Sequence, residues 1–202
     1  PIHELVAHAT VLDRVVGYEA NYAGTSFVKL GDIGKLKYGS KHFNVTADKN
    51  GPGIGSTGYD DDGVKTMQWP LIREGKLVGL QTNRETAHIL KEDFSRGCTF
   101  GSSWRDYPFL RMPNVHVDPG PENSPTLAAL IADVKDGVMI DGRGSYSIDQ
   151  QRYNGQFGGQ VFYEIKGGKI VGVLKDAAYQ IRTPDFWNGM DMIGGKSSYG
   201  LG

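Results

Sequence analysis

The sequence predicts an α+β fold made mainly of antiparallel β-sheet with hairpins, together with a few short helices. Glycine supplies 29 of the 202 residues, about twice its usual share of roughly 7%. These glycines follow no collagen-like period, so they are expected at turns and close backbone approaches. Two pairs of apolar segments flank Glu74-Gly75 and Gly167-Gly168, which is typical of hairpins. A doubly wound parallel sheet would require a regular alternation of strands and helices, and the sequence does not show one.

Helices are predicted where apolar residues recur at helical spacing between start and stop signals. The first apolar stripe can end at Gly17, and Ser124 followed by Pro125 is typical of a helix start. The predicted helices cover residues 2–16, 84–92, 124–134 and 186–193.

Strands are predicted where apolar and polar residues alternate over short segments. Pro70 cannot donate a ladder hydrogen bond, so it indicates an edge position or a bulge. Residues 50–63 and 98–108 are predicted to be loops. The predicted strands cover residues 41–48, 67–73, 76–82, 114–118, 138–140, 146–148, 159–165 and 169–174.

The two hairpin segments resemble each other. Residues 72–80 and 165–173 both combine a strand, a glycine turn and a second strand with similar apolar positions. One interpretation is that hairpins reuse the same turn chemistry. The other is an internal duplication of one antiparallel unit, and either interpretation supports the predicted fold class.

Composition argues against several classes of function. The net charge is −1 with dispersed Lys and Arg, whereas a nucleic-acid groove normally shows a basic patch. The sequence has no apolar run of about 18 residues, so no membrane span is predicted. No secretion signal is recognisable. Cys98 is the single cysteine, which excludes an internal disulfide framework and fits a reducing compartment.

The strongest chemical motif is His3-Glu4-Leu5-Val6-Ala7-His8. Zinc binds neutral imidazole nitrogens, and a catalytic zinc site keeps one position open for water. A neighbouring carboxylate can accept the proton of that water and later deliver it to a leaving amine. The motif therefore predicts a metal site with His3 and His8 as ligands and Glu4 as general base, although such a pattern also arises by chance.

The spacing of the two histidines is one residue longer than in the familiar H-E-x-x-H motif. Residues i and i+5 of a regular α-helix diverge by about 140° around the axis. We therefore expect, for a metal-bound helix, either a local widening of the π type or a helix that ends or bends between His3 and His8.

Other candidate residues favour ordinary structural roles. Cys98 could act as a ligand or a nucleophile, but a bystander thiol is the favoured interpretation. Residues 60–63, Asp-Asp-Asp-Gly, could bind a hard cation, but a solvated turn is favoured because the later glutamate of an EF-hand loop is missing. The isolated histidines are interpreted as surface or hydrogen-bonded residues: His42, His88 and His116.

The motif and its surroundings resemble the C-terminal catalytic domain of the TldD/PmbA family. The resemblance covers nearly the whole chain, and the unusual H-E-x-x-x-H spacing makes it fairly specific. It is carried by His3, Glu4, His8, Asp13, residues 17–27, Arg105, Pro108, residues 111–114, Gly120, residues 157–159 and residues 165–172.

This resemblance implies a zinc peptidase that degrades unstructured peptides inside a closed cytoplasmic dimer. The dimer is either a homodimer or a heterodimer with a metal-free PmbA-like subunit. The family's two histidine ligands correspond to His3 and His8, and its general base corresponds to Glu4. An extended peptide could add to a sheet edge through backbone hydrogen bonds, but the sequence does not identify the edge.

The chain departs from the family pattern in one respect. The third zinc ligand of the family is a cysteine near the C-terminus, and no cysteine follows Cys98 here. We therefore expect that ligand just beyond Gly202, and an N-terminal domain before Pro1. Residues 1–202 are then a fragment that binds zinc weakly or not at all, since two ligands rarely hold the ion.

Two further hypotheses remain open at this point. A non-catalytic partner or modulator domain is one, because members of this family were described as modulators of DNA gyrase. A metal-dependent hydrolase that acts on another carbonyl compound is the other.

Overall fold

The structure, a computed structural model, describes residues 2–11, 15 and 26–198, apart from the side chains of residues 2–4. Every strand pair in these residues is antiparallel, and the helices are short, so the predicted α+β class is confirmed. The strands form four sheets, with the orders β3-β2-β1-β6, β11-β10-β7, β12-β9-β8 and β4-β5.

The elements of the described residues have the following bounds. The helices are α1 (Ile2–Ala9), α2 (Arg84–Ala87), α3 (Leu127–Asp133) and α4 (Thr183–Asn188), with 3-10 turns at Leu30–Asp32, His88–Leu90 and Lys196–Ser198. The strands are β1 (Val45–Asp48), β2 (Gln68–Arg73), β3 (Lys76–Leu77), β4 (Thr99–Phe100), β5 (Phe109–Leu110), β6 (Asn114–Val117), β7 (Asp136–Asp141), β8 (Tyr146–Ile148), β9 (Asn154–Phe157), β10 (Val161–Lys166), β11 (Lys169–Leu174) and β12 (Tyr179–Arg182).

The hydrophobic core lies against the four-stranded sheet. Strands β1 and β2 contribute fully buried residues such as Val45 and Leu71. Helix α1 adds Val6 and Ala9 to the same cluster and packs against β6, an outer strand of this sheet. The sheet thus fixes the position of the helix that carries the metal-site motif.

The first hairpin, between β2 and β3, turns at Glu74 and Gly75 as predicted. Their φ angles are 47° and 75°, as a two-residue turn of the primed type requires. A Cβ atom at Gly75 would lie 2.1 Å from the carbonyl oxygen of Gly39. The backbone N–H groups of Tyr38 and Gly39 both donate to the Gly75 carbonyl, so the turn is locked against the preceding segment.

Pro70 lies inside the sheet, where β2 is flanked by β1 and β3. The pairing of β1 with β2 is irregular between Val45 and Thr46, and Thr46 is the residue opposite Pro70. The bulge alternative for Pro70 is therefore correct, and the edge alternative is wrong. The partner strand β3 ends at Leu77, because the next two N–H groups both donate to the single carbonyl of Leu71.

The second hairpin, between β10 and β11, has the same turn geometry, with φ of 54° at Gly167 and 75° at Gly168. In both hairpins the first strand also pairs with an earlier strand of the chain, β1 or β7. The surroundings differ, because β11 leaves Val171 and Val173 more than half exposed. The local similarity is therefore real, and the internal duplication stays a prediction.

Several predicted boundaries are wrong. The predicted loop at residues 98–108 contains β4 and leads into β5, which pairs with it. Helix α3 is capped by Thr126, whose hydroxyl accepts from the N–H of Ala129 at 3.3 Å, while Ser124 belongs to the preceding turn. The last helix begins at Thr183 and ends at Asn188, earlier than predicted.

Strands β9 and β12 were not predicted. The sequence of β9, Asn-Gly-Gln-Phe, does not alternate, and β12 has only four residues, Tyr-Gln-Ile-Arg. They are held in register with β8 by aromatic residues that lie opposite one another: Tyr146, Phe157 and Tyr179. The ring centroids of Phe157 lie 6.4 Å from Tyr146 and 5.6 Å from Tyr179. Such cross-strand aromatic contacts stabilise a sheet beyond the burial of area alone.

Replacing Gly75 by alanine should destabilise the protein by about 3 kcal/mol, since the new Cβ meets backbone oxygen in a left-handed conformation. The control is Gly167→Ala, which has a similar φ but no atom within 4 Å of the new Cβ, and should cost about 1 kcal/mol. Urea denaturation of both variants measures the difference. Equal losses would show that the contact with Gly39 does not constrain the turn.

Candidate metallopeptidase site

Helix α1 carries all three residues of the H-E-x-x-x-H motif. Its backbone is α-helical from Ile2 to Ala9, so the widening expected for a metal-bound helix is not present in this range. On such a helix, residues 3 and 8 are separated by about 7.5 Å along the axis and about 140° around it. Position 4 lies between them around the axis.

The side chains of His3 and Glu4 lie outside the described residues, whereas His8 is described and is half-buried. The convergence of the two imidazoles on one ion therefore stays a prediction. The residue types, two imidazoles that could bind the ion and a carboxylate that could act on its bound water, fit the chemistry of a catalytic zinc.

The helix ends one residue after His8, and the predicted continuation through residues 10–16 is wrong at its start. Val11 forms an isolated parallel bridge with Gln81 instead of a further helical turn. The backbone N–H of Gln81 donates to the Thr10 carbonyl at 2.9 Å. The exact end was not predictable from the apolar stripe, because the contacts at this end come from Gln81, 71 positions beyond Thr10.

The carbonyl groups around His8 are taken up by side chains at this helix end. The Gln81 amide donates from Nε2 to the Ala7 carbonyl at 2.7 Å and to the Thr10 hydroxyl at 2.8 Å. The Ser26 hydroxyl donates to the Ala9 carbonyl at 2.8 Å. These bonds replace helical hydrogen bonds that end with the helix, so the backbone on both sides of His8 is held by other segments.

The described residues do not supply a complete metal site on their own. Within residues 2–11, 15 and 26–198, excluding the side chains of 2–4, no three His, Cys, Asp or Glu side chains are grouped to hold an ion. A site at α1 therefore requires the side chains of His3 and Glu4, and a further ligand from outside this part of the chain.

Comparison with known proteins identifies the family to which this chain, including the motif, belongs. The family model of the PmbA/TldA metallopeptidase C-terminal domain matches residues 2–199. This chain belongs to the TldD/PmbA family.

Two curated relatives in this family are named metalloproteases. The protein from Methanothermobacter thermautotrophicus is 28% identical over 201 residues, which cover 100% of this chain and 41% of the relative. Metalloprotease MJ0996 from Methanocaldococcus jannaschii is 30% identical over 178 residues, which cover 87% of this chain and 36% of the relative. The chain thus spans about two fifths of the length of these relatives, and the family name implies a metal.

Solved structures of other organisms share the fold. One is a protein from Thermotoga maritima described as a candidate modulator of a DNA gyrase. It superimposes with a TM-score of 0.77 at 18% identity, and the match covers 96% of this chain and 41% of the Thermotoga chain. TldE from Thermococcus kodakarensis gives 0.74 at 20% identity, with 96% and 42% covered. At these identities the similarity establishes the fold.

Cys98 has the properties of a bystander in this TldD/PmbA domain. It is 1% exposed, and burial raises the pKa of its thiol to about 12. A thiol with this pKa is protonated at neutral pH, whereas metal binding and nucleophilic attack need the thiolate. The interpretation favoured from the sequence is therefore supported.

The isolated histidines of this TldD/PmbA domain are spread over different elements. His88 begins a 3-10 turn after α2, and His42 precedes β1. His116 lies on β6 with Nε2 3.5 Å from a carboxylate oxygen of Asp118, whose other oxygen accepts from Arg73 at 2.8 Å. These residues contribute no grouped metal ligands within the part of the chain that the structure describes.

The three aspartates at residues 60–62 bind backbone and hydroxyl donors of β4 and the following residues. Asp60 is 6% exposed, and its carboxylate accepts from the N–H groups of Asp62, Val64 and Thr99 at 3.1, 2.9 and 3.1 Å. The expected turn is present and Asp61 is exposed within it, but Asp60 is buried and has a structural role that was not predicted. A sequence of consecutive aspartates gives no signal for this long-range role.

A cavity of about 390 Å³ lies beside α2 and the segment that follows it. Five of its eight lining residues are polar, and no described residue of α1 contributes to it. The lining residues are Val64, Arg84, Ala87, His88, Glu92, Asp93, Phe94 and Ser95. Glu92 of this lining is already paired with Arg96 at 2.6 Å.

Asp60→Asn should lower the free energy of unfolding by about 3 kcal/mol, because the amide presents a donor to one of three N–H groups that need an acceptor. Asp61→Asn is the matched control. Asp61 is exposed, and its carboxylate accepts from the backbone N–H of Gly101. Its replacement should therefore lower the free energy of unfolding by only about 1 kcal/mol. Denaturation curves compare the two variants, and equal effects would contradict the anchoring role of Asp60.

The Cys98 thiol should resist alkylation by iodoacetamide at pH 8 in the folded protein. With a pKa of about 12, about one thiol in ten thousand is ionised at that pH, against roughly a quarter for an ordinary cysteine. Mass spectrometry of the labelled protein measures the rate, with urea-unfolded protein as the reference. Fast labelling of the folded chain at the unfolded rate would contradict this assignment.

Proposed function

We propose that this domain carries the reaction centre of a zinc-dependent peptidase that hydrolyses unstructured peptides. The observation that carries the proposal is the H-E-x-x-x-H motif on the single helix α1, in a chain whose family and curated relatives are named metallopeptidases or metalloproteases. His3 and His8 would hold the metal, with a third ligand from outside the described residues.

Each residue of the motif has a distinct task in the proposed reaction. Zinc, when bound, would polarise the peptide carbonyl and lower the pKa of a water molecule. Glu4 would accept the proton of the attacking water and deliver it to the nitrogen of the leaving amine. His3 and His8 would bind as neutral imidazoles, which makes metal binding pH-dependent.

Strand β6 is the sheet edge that best fits an extended substrate. It pairs with β1 on one side, and within the described residues no strand pairs with its other side. The Asp118 N–H donates to the Asn44 carbonyl of the neighbouring strand, so alternation directs the backbone groups of Val115 and Val117 to the open side. Helix α1 packs against this strand, so a peptide added here would run beside the motif with little side-chain selectivity.

The assembly and location of the protein are part of the proposal. We expect a homodimer or a heterodimer with a PmbA-like subunit, and a cytoplasmic location, as the family resemblance implies. In the described residues no helix is long and apolar enough to cross a membrane. The dispersed charge and net charge of −1 argue against direct binding of nucleic acid.

A non-catalytic modulator domain is the second candidate function. It is favoured by the fold shared with a protein described as a candidate modulator of a DNA gyrase. The two functions differ in their requirement for metal: a peptidase contains stoichiometric zinc and loses activity to a chelator, and a modulator folds normally without zinc.

Glu4→Gln in the full-length protein should reduce cleavage of an unstructured fluorogenic peptide by at least about a hundredfold, since general base catalysis contributes 10²–10⁴-fold. Zinc content should stay at the wild-type level, because the carboxylate is not assigned as a ligand. His42→Ala is the control and should leave both cleavage and zinc content unchanged. Cleavage retained by the zinc-loaded Glu4→Gln protein would disprove the role of Glu4.

A further inference from the structure

Among the described residues outside α1, Gln81 makes the most hydrogen bonds to the end of the motif helix and to Thr10, which follows it. Its side chain is completely buried and its amide nitrogen makes two short hydrogen bonds, to the Ala7 carbonyl and the Thr10 hydroxyl. Its own backbone N–H donates to the Thr10 carbonyl. One residue from the segment after β3 thus makes one hydrogen bond to the last turn of α1 and two to Thr10, the residue that follows the helix.

These bonds decide where α1 stops. In a longer helix, the Ala7 carbonyl would accept from the N–H of Val11. Val11 instead pairs with Gln81 in a parallel bridge, and the Gln81 side chain takes the place of the lost N–H donor. Gln81 therefore ends the helix through its backbone and caps it through its side chain.

His8 lies between the two sites that Gln81 holds. The Ala7 carbonyl, one residue before His8, accepts from Gln81, and the Ala9 carbonyl, one residue after it, accepts from the Ser26 hydroxyl. A rotation of this last turn would redirect the imidazole of His8. Because residues 3 and 8 diverge by about 140° on a regular helix, a metal shared by both needs a defined orientation of this turn.

We infer that Gln81 is a positioning residue that orients His8 for metal binding through the last turn of α1. This inference rests on the proposed metal site. The amide can be oriented in one way only, since its nitrogen has two acceptors and Oε1 has no hydrogen-bond partner in the described residues. Methionine, of similar shape, would remove both donors, and glutamate would place an acceptor against the Ala7 carbonyl.

The test uses Gln81→Met in the full-length protein, with affinity for Zn²⁺ measured by chelator competition. We expect affinity to fall about tenfold or more, in the range known for residues that orient metal ligands. The visible spectrum of the Co²⁺-substituted protein should change as well, because it reports the geometry around the ion. Gln81→Glu is the second variant, and circular dichroism identifies which variant keeps the native fold.

The matched control is Asn83→Ala, two positions further along the same segment. Asn83 is 4% exposed and its side chain caps α2 by accepting from the Thr86 N–H at 3.0 Å, so its loss lowers stability without a bond to α1. A general loss of stability would affect both variants, whereas the inference requires that Zn²⁺ affinity and the Co²⁺ spectrum change for Gln81 variants alone.

The outcomes separate the inference from the function on which it rests. Wild-type Zn²⁺ affinity and Co²⁺ spectrum in a folded Gln81 variant would overturn the positioning role and leave the peptidase proposal intact. A wild-type protein that binds neither ion would overturn both. A tenfold loss that is specific to Gln81, with Asn83→Ala within about twofold of wild type, would support the inference.

Discussion

The change from helix to extended pairing between Ala9 and Val11 is the constraint on which the rest of the site depends. It allows a helix of eight residues to lie against β6 while the chain that follows pairs with the segment after β3. A helix this short is not stable by itself in water. Its stability comes from the burial of Leu5, Val6 and Ala9 and from the hydrogen bonds at its end.

The same principle organises the hairpin of β4 and β5. Two-residue strands have few hydrogen bonds of their own, and here the buried carboxylate of Asp60 supplies the acceptor for the Thr99 backbone. A buried carboxylate is stable when several donors replace its water. In both places a polar side chain from a distant segment completes what local structure leaves unsatisfied.

The sequence predicted the parts of the fold that depend on local patterns. The turns at Glu74-Gly75 and Gly167-Gly168 were found because a two-residue turn with positive φ demands particular residues. Strand β6 was found from its alternation, whereas β9 has the sequence Asn-Gly-Gln-Phe and no such signal. The roles of Gln81 and Asp60 could not be predicted, because they depend on contacts across about 40 to 75 positions of the chain.

For the candidate site too, the sequence predicted what depends on local pattern and not what depends on distant contacts. The motif identifies a helix and a set of donor atoms, and the family comparison agrees with the class of enzyme that it indicates. The direction in which each donor points depends on where α1 ends, and Gln81 and Ser26, which lie outside the helix, hydrogen-bond to its last carbonyls. Spacing alone therefore predicts the chemistry of the site better than its geometry.

The burial of Cys98 has a consequence for metal selection. Its sulfur is the one thiol of the chain and it lies within the hydrophobic core. Thiophilic ions such as Cu(I) prefer sulfur ligands, but the Cys98 thiol is enclosed and protonated and does not bind them. Burial therefore keeps the Cys98 sulfur from competing with the proposed metal site for an ion. It also shields that sulfur from oxidants.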